Sequence, residues 1–343
     1  MKAIVYSETG DPSVLQLVDR PVLEPGPDEV RVRIVVSGVN PTDWKSRRGA
    51  ASGQALPFDE VVPGQDGAGI VEAVGDDVQH VSVGDRVWLA LAAYQRPNSG
   101  SSQEQPVLPA ERVFALPASA SFDQGASMGV PAITAYRALT VAEDGPDQLH
   151  PTALTGRIVL VAGGAGAVGH ATIQLARWAG ATVITTVSGP QKAALATAAG
   201  AHHVFNYTDA DIVDQIRAIA PDGVDQIVEV SPAQNADLDL AVIRNRGSIS
   251  VYANNGGDQV TLDVRRHFAL NVRYQFVLLY TVGIDAIRAA GAAINVALED
   301  GALGIGDETG LPLHRFDLAH TADAHALVES GAVGKVLIDV TAA

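Results

Sequence analysis

The chain has 343 residues, 47% of them hydrophobic, with a mean hydropathy of +0.15. That length fits two domains with sizeable cores, and no apolar run is long enough to span a membrane. With 39 acidic against 23 basic residues the formal charge is -16, which argues against nucleic acid or anionic membrane as partner, while the absence of cysteine excludes disulfides and thiolate metal sites.

The opening Met1-Lys2-Ala3-Ile4-Val5-Tyr6 reads as a strand and lacks the apolar core of a signal peptide, so the cytoplasm is expected. Residues 1–124 read mostly as β structure. Val30 to Val36 alternates apolar and polar residues, the pattern of a half-exposed strand. Short apolar runs at 61–64, 67–75 and 83–88 are punctuated by glycine and proline, as in an irregular or barrel-like β domain. Residues 95–106 are polar and rich in turn formers, and are expected to be a mobile loop. Ala126 to Val141 has helical periodicity, interrupted near Pro131, and is expected to link two domains.

A different pattern begins at Ile158. The unbroken apolar run Ile158-Val159-Leu160-Val161-Ala162 fits a parallel strand buried on both faces. Gly164, Gly166 and Gly169 follow at once as G-x-G-x-x-G, and then Ala171, Ile173, Leu175 and Ala176 recur at helical spacing. A second apolar run, Thr182 to Val187, completes a strand–turn–helix–strand unit. In that context the glycines carry a dinucleotide reading. The first permits the turn, the second lets the backbone approach a pyrophosphate, and the third allows close helix packing. The diphosphate then meets free N–H groups at the positive end of the helix. The alternative is a glycine-rich turn in some other α/β protein.

The residue after the second strand selects the dinucleotide. NAD sites place an acid there for the ribose hydroxyls. Here Ser188 occupies that place and Lys192 follows, one of only four lysines in the chain. A hydroxyl and a cation suit a 2′-phosphate, so NADPH is the expected cofactor; otherwise Lys192 merely starts a solvated helix. Further strands are expected at 203–205, 226–230, 248–252 and 272–280, with helices at 212–219, 238–243 and 284–300. Six strands from Ile158 onward make a doubly wound parallel sheet. A last strand covers Lys335 to Val340.

The chain resembles the medium-chain dehydrogenase/reductase superfamily, and within it the zinc-independent quinone oxidoreductases of the zeta-crystallin group. The motifs that carry the resemblance are GVNPTD (38–43), PGQDGAGIVEAVG (63–75), VGDRV (83–87), GVPAITAYRAL (129–139), AGGAGAVG (162–169), GAHHVFNY (200–207) and GAVGKVLIDV (331–340). The resemblance implies a GroES-like catalytic domain at 1–124, a Rossmann NADPH domain at 125–283 and a C-terminal segment, 284–343, returning to the first. It places the active site in the cleft between the domains and implies a homodimer through the Val272–Leu278 region.

Residue by residue, the resemblance puts the diphosphate on Ala165, Gly166 and Val168. It puts the 2′-phosphate near Ser188, Lys192 and Tyr207, with Lys335 as a second cation. Thr134, Ser231, Tyr252 and the Phe276–Leu278 backbone fall along the nicotinamide half. For Tyr252 and Phe276, ordinary strand packing is an equal alternative. Zinc-dependent relatives have Gly-His-Glu where this chain has Gly64-Gln65-Asp66, and Cys where it has Asn40. Gln65 and Asn40 are poor zinc ligands, so no metal is expected. The paired histidines at 202/203 and 320/325 are read as surface or helix residues.

Without a Lewis acid the expected reaction is hydride transfer from NADPH to a quinone or an α,β-unsaturated carbonyl. Asn40, Trp44 and Lys45 are the candidate donors to the developing oxyanion. Lys45 also fits a solvated basic face shared with Arg47 and Arg48. Many relatives carry Tyr where Lys45 stands, and their Tyr-x-Glu-Tyr stretch is replaced by Ser102-Gln103-Glu104-Gln105. A 2-alkenal or enoyl-thioester reductase, or an NADPH-binding protein without turnover, are the alternatives.

Overall fold

The alternating segment near the N-terminus becomes the longest strand of the first sheet. In the computed structural model, which describes residues 1–50 and 52–342, Glu29–Val39 turns Val30, Val32 and Ile34 into the core. The chain divides into two units, Met1–Val130 with Pro312–Ala343, and Pro131–Leu311.

The first unit holds a seven-stranded sheet ordered Leu313–Asp317, Lys335–Asp339, Glu29–Val39, Asp66–Val74, Arg86–Leu89 and Val113–Ala115, with Val107–Pro109 also paired to Glu29–Val39. Val71, Val87, Leu89 and Leu108 close the core against Val30, Val32 and Ile34. The C-terminal strand pairs into this sheet, Val336 opposite Val39 and antiparallel to it.

The second unit is a six-stranded parallel sheet with the order His203–Asn206, Thr182–Val187, Ile158–Ala162, Val224–Glu229, Ile243–Val251 and Arg273–Phe276. Counted from Ile158 this is the doubly wound order 3-2-1-4-5-6. Branched side chains at registered positions, Leu160, Ile184, Ile227 and Ile249, fill one of its faces together with Ile216 of the helix Ile212–Ile219. Because all strands run the same way, every residue that follows a strand lies at one edge. The opposite edge is stapled by charge: Asp225 pairs with Arg157 (3.3 Å) and Arg244 (2.7 Å), and Asp144 with Arg246 (3.3 Å) and Arg273 (2.9 Å).

Several expectations change. The division falls at Val130/Pro131, inside one helix, Phe122–Thr140, which runs unbroken through Pro131. The helix Ile284–Glu299 and the residues to Leu311 belong to the second unit rather than to the returning segment. They are tied there by Gln174 Nε2 to Gly304 O (3.1 Å), Trp178 Nε1 to Asp300 Oδ2 (2.8 Å) and His170 Nε2 to Thr309 O (2.7 Å). The helix expected at 238–243 starts earlier, at Pro232, and the last strand of the sheet ends at Phe276.

The segment 95–106 has little regular structure, yet it is pinned rather than free. Ser99, Ser101, Ser102 and Gln103 are buried. Ile4 N donates to Ser102 O (2.9 Å), Ile34 N to Glu104 O (2.9 Å) and Ser101 Oγ to Asp66 O (2.6 Å). No helix among the described residues is long and apolar enough to cross a membrane.

Candidate functional site

The glycine turn sits where Ile158–Ala162 meets the helix Ala167–Trp178. Gly163 adopts φ 71°, a left-handed conformation that favours glycine. The three motif glycines do different work. A Cβ on Gly164 would lie 2.2 Å from Thr185 Oγ1, and one on Gly169 would lie 2.4 Å from Gly163 O, so both close the turn tightly. A Cβ on Gly166 would meet only Gly163 O, at 3.5 Å. Gly166 is exposed, and this side of the turn is open to a ligand.

No side chain caps the helix that follows. Its first N–H groups, on Ala167, Val168 and Gly169, have no partner among the described residues. Free N–H groups aligned with the helix dipole form an anion cradle. Ala165 is buried and Val168 half-buried, so Ala165 would contribute backbone only.

The neighbouring strand ends gather the second group. Ser188 follows Thr182–Val187 and is exposed; Lys192 lies in the first turn of the helix Pro190–Ala198. Tyr207 follows His203–Asn206, is 49% exposed, and donates its N–H to Val187 O (3.1 Å). The three expected 2′-phosphate residues thus belong to adjacent strand ends on one edge. Lys192 pairs with no carboxylate among the described residues.

Farther along the same edge, Ser231 precedes the helix Pro232–Val242; its Oγ donates to Asn255 O (2.7 Å). Tyr252 follows Ile243–Val251 and is half-buried, while Phe276 and Leu278, past the edge strand, are 66% and 59% exposed. Thr134 is buried within the helix Phe122–Thr140.

Lys335 departs from its expected role. It lies in the first unit, 1% exposed, and its Nζ donates to Asn40 Oδ1 (2.9 Å) and Asp66 Oδ2 (3.4 Å). Asn40 Nδ2 donates to the same Asp66 Oδ2 (2.7 Å). An ammonium can only donate and a carboxylate only accept, so these partners fix which end of the Asn40 amide is which. Asp66 Oδ1 accepts the Val130 N–H (2.7 Å), and a Cβ on Gly129 would lie 2.1 Å from it. Burial raises the Asp66 carboxyl, with Lys335 and Asn40 pulling it down. Asp43 accepts the Asn40 N–H (2.7 Å), and burial pushes its carboxyl up to about 7. Lys335 is therefore an internal counter-ion of this cluster and not a second cation for a cofactor phosphate.

The other candidates sit on the helix Pro41–Arg48. Trp44 is half-buried and Lys45 exposed, with Nζ 5.9 Å from the Trp44 ring centre. The solvated basic face expected here does not form as a unit. Arg47 is turned inward, 0% exposed, and pairs with Glu329, as does the exposed Arg48. His325, read from sequence as a surface or helix residue, lies on a helix but is fully buried. Burial, and then Arg47, hold its imidazole down at about 3.

Sequence reasoning missed the Asn40–Asp66–Lys335 cluster as a unit. The available signal was a lone charge inside two apolar runs, Asp66 within 64–71 and Lys335 within 333–338. Charges so placed are buried only when paired.

Two family patterns match the chain: one described as zinc-binding dehydrogenase over residues 167–295, the other as alcohol dehydrogenase GroES-like domain over residues 26–118. The human quinone oxidoreductase is 31% identical over 342 residues, covering 98% of this chain and 97% of its own. The structure of a mycobacterial quinone oxidoreductase superimposes with a TM-score of 0.83 at 30% identity, covering 98% of this chain and 99% of that one. The Escherichia coli quinone oxidoreductase solved in complex with NADPH gives a TM-score of 0.79 at 26% identity, covering 99% of this chain and 100% of that one.

Proposed function

Because the chain belongs to the quinone oxidoreductase family of medium-chain dehydrogenases/reductases, we propose that it uses NADPH to reduce a quinone by hydride transfer without a metal ion. The observation that carries the reading is the open Gly166 turn over an uncapped helix start, with Lys192 one strand away. Lys192 stands in the first turn of a helix with no acid there. A cation opposes the dipole at that end. A phosphate dianion between the two would offset the conflict, which favours NADPH over NADH. Ala165, Gly166 and Val168 would hold the diphosphate, and Ser188, Lys192 and Tyr207 the 2′-phosphate.

Bound NADPH would supply the hydride. The protein's part is to fix the nicotinamide, for which Thr134, Ser231, Tyr252, Phe276 and Leu278 are the proposed contacts, and to exclude water. Asn40, Trp44 and Lys45 remain the proposed donors to the acceptor oxygen. Asn40 is the best oriented of the three, since Asp66 and Lys335 hold both ends of its amide.

One family pattern is described as zinc-binding, so the fit of that metal matters. The residues here do not suit it. Asn40 and Gln65 are weak ligands, and the Lys335 ammonium already occupies the Asn40 and Asp66 oxygens a cation would need. No cluster of three or more metal-binding side chains occurs among the described residues. An enoyl-thioester substrate would need a surface that binds phosphate, for which Arg47 and Arg48 are the available cations on the helix Pro41–Arg48. Both are engaged by Glu329, which favours the quinone reading.

The test is NADPH oxidation followed in parallel with a naphthoquinone, an enone and an enoyl-CoA. The proposal predicts the fastest turnover with the quinone. Preferential turnover of the enoyl-CoA would move the protein to the reductase alternative, and NADPH binding with no turnover would make it a binding protein.

A further inference from the structure

Three side chains on one face of the helix Ala167–Trp178 donate to the same stretch of chain. His170, Gln174 and Trp178 stand four residues apart, the spacing that aligns side chains along a helix. His170 Nε2 donates to Thr309 O (2.7 Å), Gln174 Nε2 to Gly304 O (3.1 Å) and Trp178 Nε1 to Asp300 Oδ2 (2.8 Å). A carbonyl oxygen only accepts, so Nε2 of His170 carries the ring proton. His170 is 2% exposed, and burial holds its pKa down at about 4, which keeps the ring uncharged at neutral pH. Hydride transfer uses none of the three.

The stretch they reach closes on itself. Gly306 and Leu311 exchange N–H to O bonds (both 2.9 Å), and between them Thr309 N donates to Gly306 O (3.2 Å) and Gly310 N to Asp307 O (3.1 Å). Gly310 has φ 82° and is buried against a second helix: a Cβ there would lie 2.0 Å from Leu195 O and 2.9 Å from Ala199 N. Glycine alone allows that approach. On one side, then, the turn touches the helix whose first N–H groups form the anion cradle. On the other it touches the helix Pro190–Ala198, where Leu195 lies one turn beyond Lys192.

The Lys192 helix has little packing of its own. Among its nine residues only Ala196 is buried. Strand pairing fixes where the two helices start, with Ala162 opposite Thr186. Their lean relative to each other depends on what packs beside them. At the end of the cradle helix away from the glycine turn, Arg177 Nη1 donates to Gly200 O (2.7 Å), just past the Lys192 helix. Near the glycine turn the link runs instead from His170 through Thr309 and Gly310 to Leu195.

We propose that the turn 304–311 braces these two helices against each other, with His170 and Gly310 as its anchor points, and so sets the preference for a dinucleotide that carries a 2′-phosphate. His170 and Gly310 are positioning residues in this scheme. The proposal rests on the reading above, in which the cradle takes the diphosphate and Lys192 the 2′-phosphate. NADH is held at the cradle alone and tolerates a shift of Lys192. NADPH is held at both places and gains from the second only while the two helices keep their spacing. Coupling of this kind is reciprocal, so a brace that favours NADPH is itself tightened by NADPH.

The experiment titrates full-length wild type with NADPH and NADH and measures the ratio of the two affinities again in His170→Leu, His170→Gln and Gly310→Ala. His170→Leu removes the donor to Thr309 O, and the ratio should fall about fivefold to tenfold. His170→Gln keeps an N–H for that oxygen and should recover most of the loss. Gly310→Ala brings a Cβ onto Leu195 O and should lower the ratio at least as far as His170→Leu. Melting temperature is read on each variant. A merely structural role would lower stability and both affinities together and leave the ratio unchanged, which would overturn the proposal. Should the variants fail to fold, hydrogen exchange in wild type decides: saturating NADPH should slow exchange at Gly306, Gly310 and Leu311 more than saturating NADH, and equal protection overturns the brace. A wild type with no preference for NADPH defeats the cofactor reading and the brace together. A preference that survives both His170→Leu and Gly310→Ala defeats the brace alone.

Discussion

Lys192 and Lys335 are two of four lysines in an acidic chain, and their surroundings give them opposite work. Lys192 is half-buried in the first turn of the helix Pro190–Ala198, with no acid partner among the described residues. Lys192→Ala should weaken NADPH about tenfold to a hundredfold and leave NADH nearly unchanged, because only the former presents a phosphate to the charge. Isothermal titration with both cofactors checks this, and equal losses would refute the assignment. Lys335 is sealed against Asn40 and Asp66. Lys335→Ala should cost about 3–5 kcal/mol of stability, since it strands a buried carboxylate. A near-neutral result in urea unfolding would contradict the cluster. His325 supplies a pH test of the first unit. Its folded pKa near 3 lies below the unfolded value of 6.5, so the unfolded state binds more protons between them. Stability from this group is present above about 6.5 and lost as pH falls toward 3. Asp43, raised to about 7, acts in the opposite sense, so the test is a difference. Wild type should lose stability relative to His325→Gln on acidification, and curves that stay parallel would count against it.

At the scale of elements, the glycine turn separates packing from binding. Gly169→Ala brings a Cβ to 2.4 Å from a backbone oxygen, and Gly166→Ala brings one only to 3.5 Å. The first should lower the melting temperature of the whole chain. The second should leave melting intact but reduce NADPH affinity at least about tenfold, because a methyl would then occupy the approach to the diphosphate. Loss of stability in both, with affinity retained in Gly166→Ala, would remove the cradle. Much of this element was legible in advance, because glycine spacing and hydrophobic period are local properties. The helix at 212–219 and the six strands from Ile158 read off for the same reason. What escaped was set at long range. The burial of 95–106 comes from bonds to Ile4, Ile34 and Asp66, far off in sequence. The inward turn of Arg47 depends on Glu329, and the place of Lys335 on Asn40 and Asp66. The resemblance located Asn40, but no spacing rule tied it to a lysine near the other end of the chain.

For the whole molecule, the second unit leaves Arg273–Phe276 as an edge strand with exposed apolar neighbours. Phe276 is 66% exposed, Leu278 59%, Phe268 63% and Val264 72%. An uncovered edge of that character favours pairing with a second copy. We therefore expect a homodimer, converted to monomer by Phe276→Lys; a monomeric wild type in analytical ultracentrifugation would contradict it. One unit carries an open anion cradle, and in the other the Lys335 ammonium is bonded to Asn40 and Asp66, positions where the resemblance puts zinc ligands in zinc-dependent relatives. Together they favour hydride transfer from NADPH with no metal taking part. The most direct measurement is the rate of NADPH oxidation by a quinone after exhaustive chelation, with residual zinc quantified on the same sample. Full activity with far less than stoichiometric metal is the predicted result. Activity that disappears on chelation and returns with added zinc would contradict it.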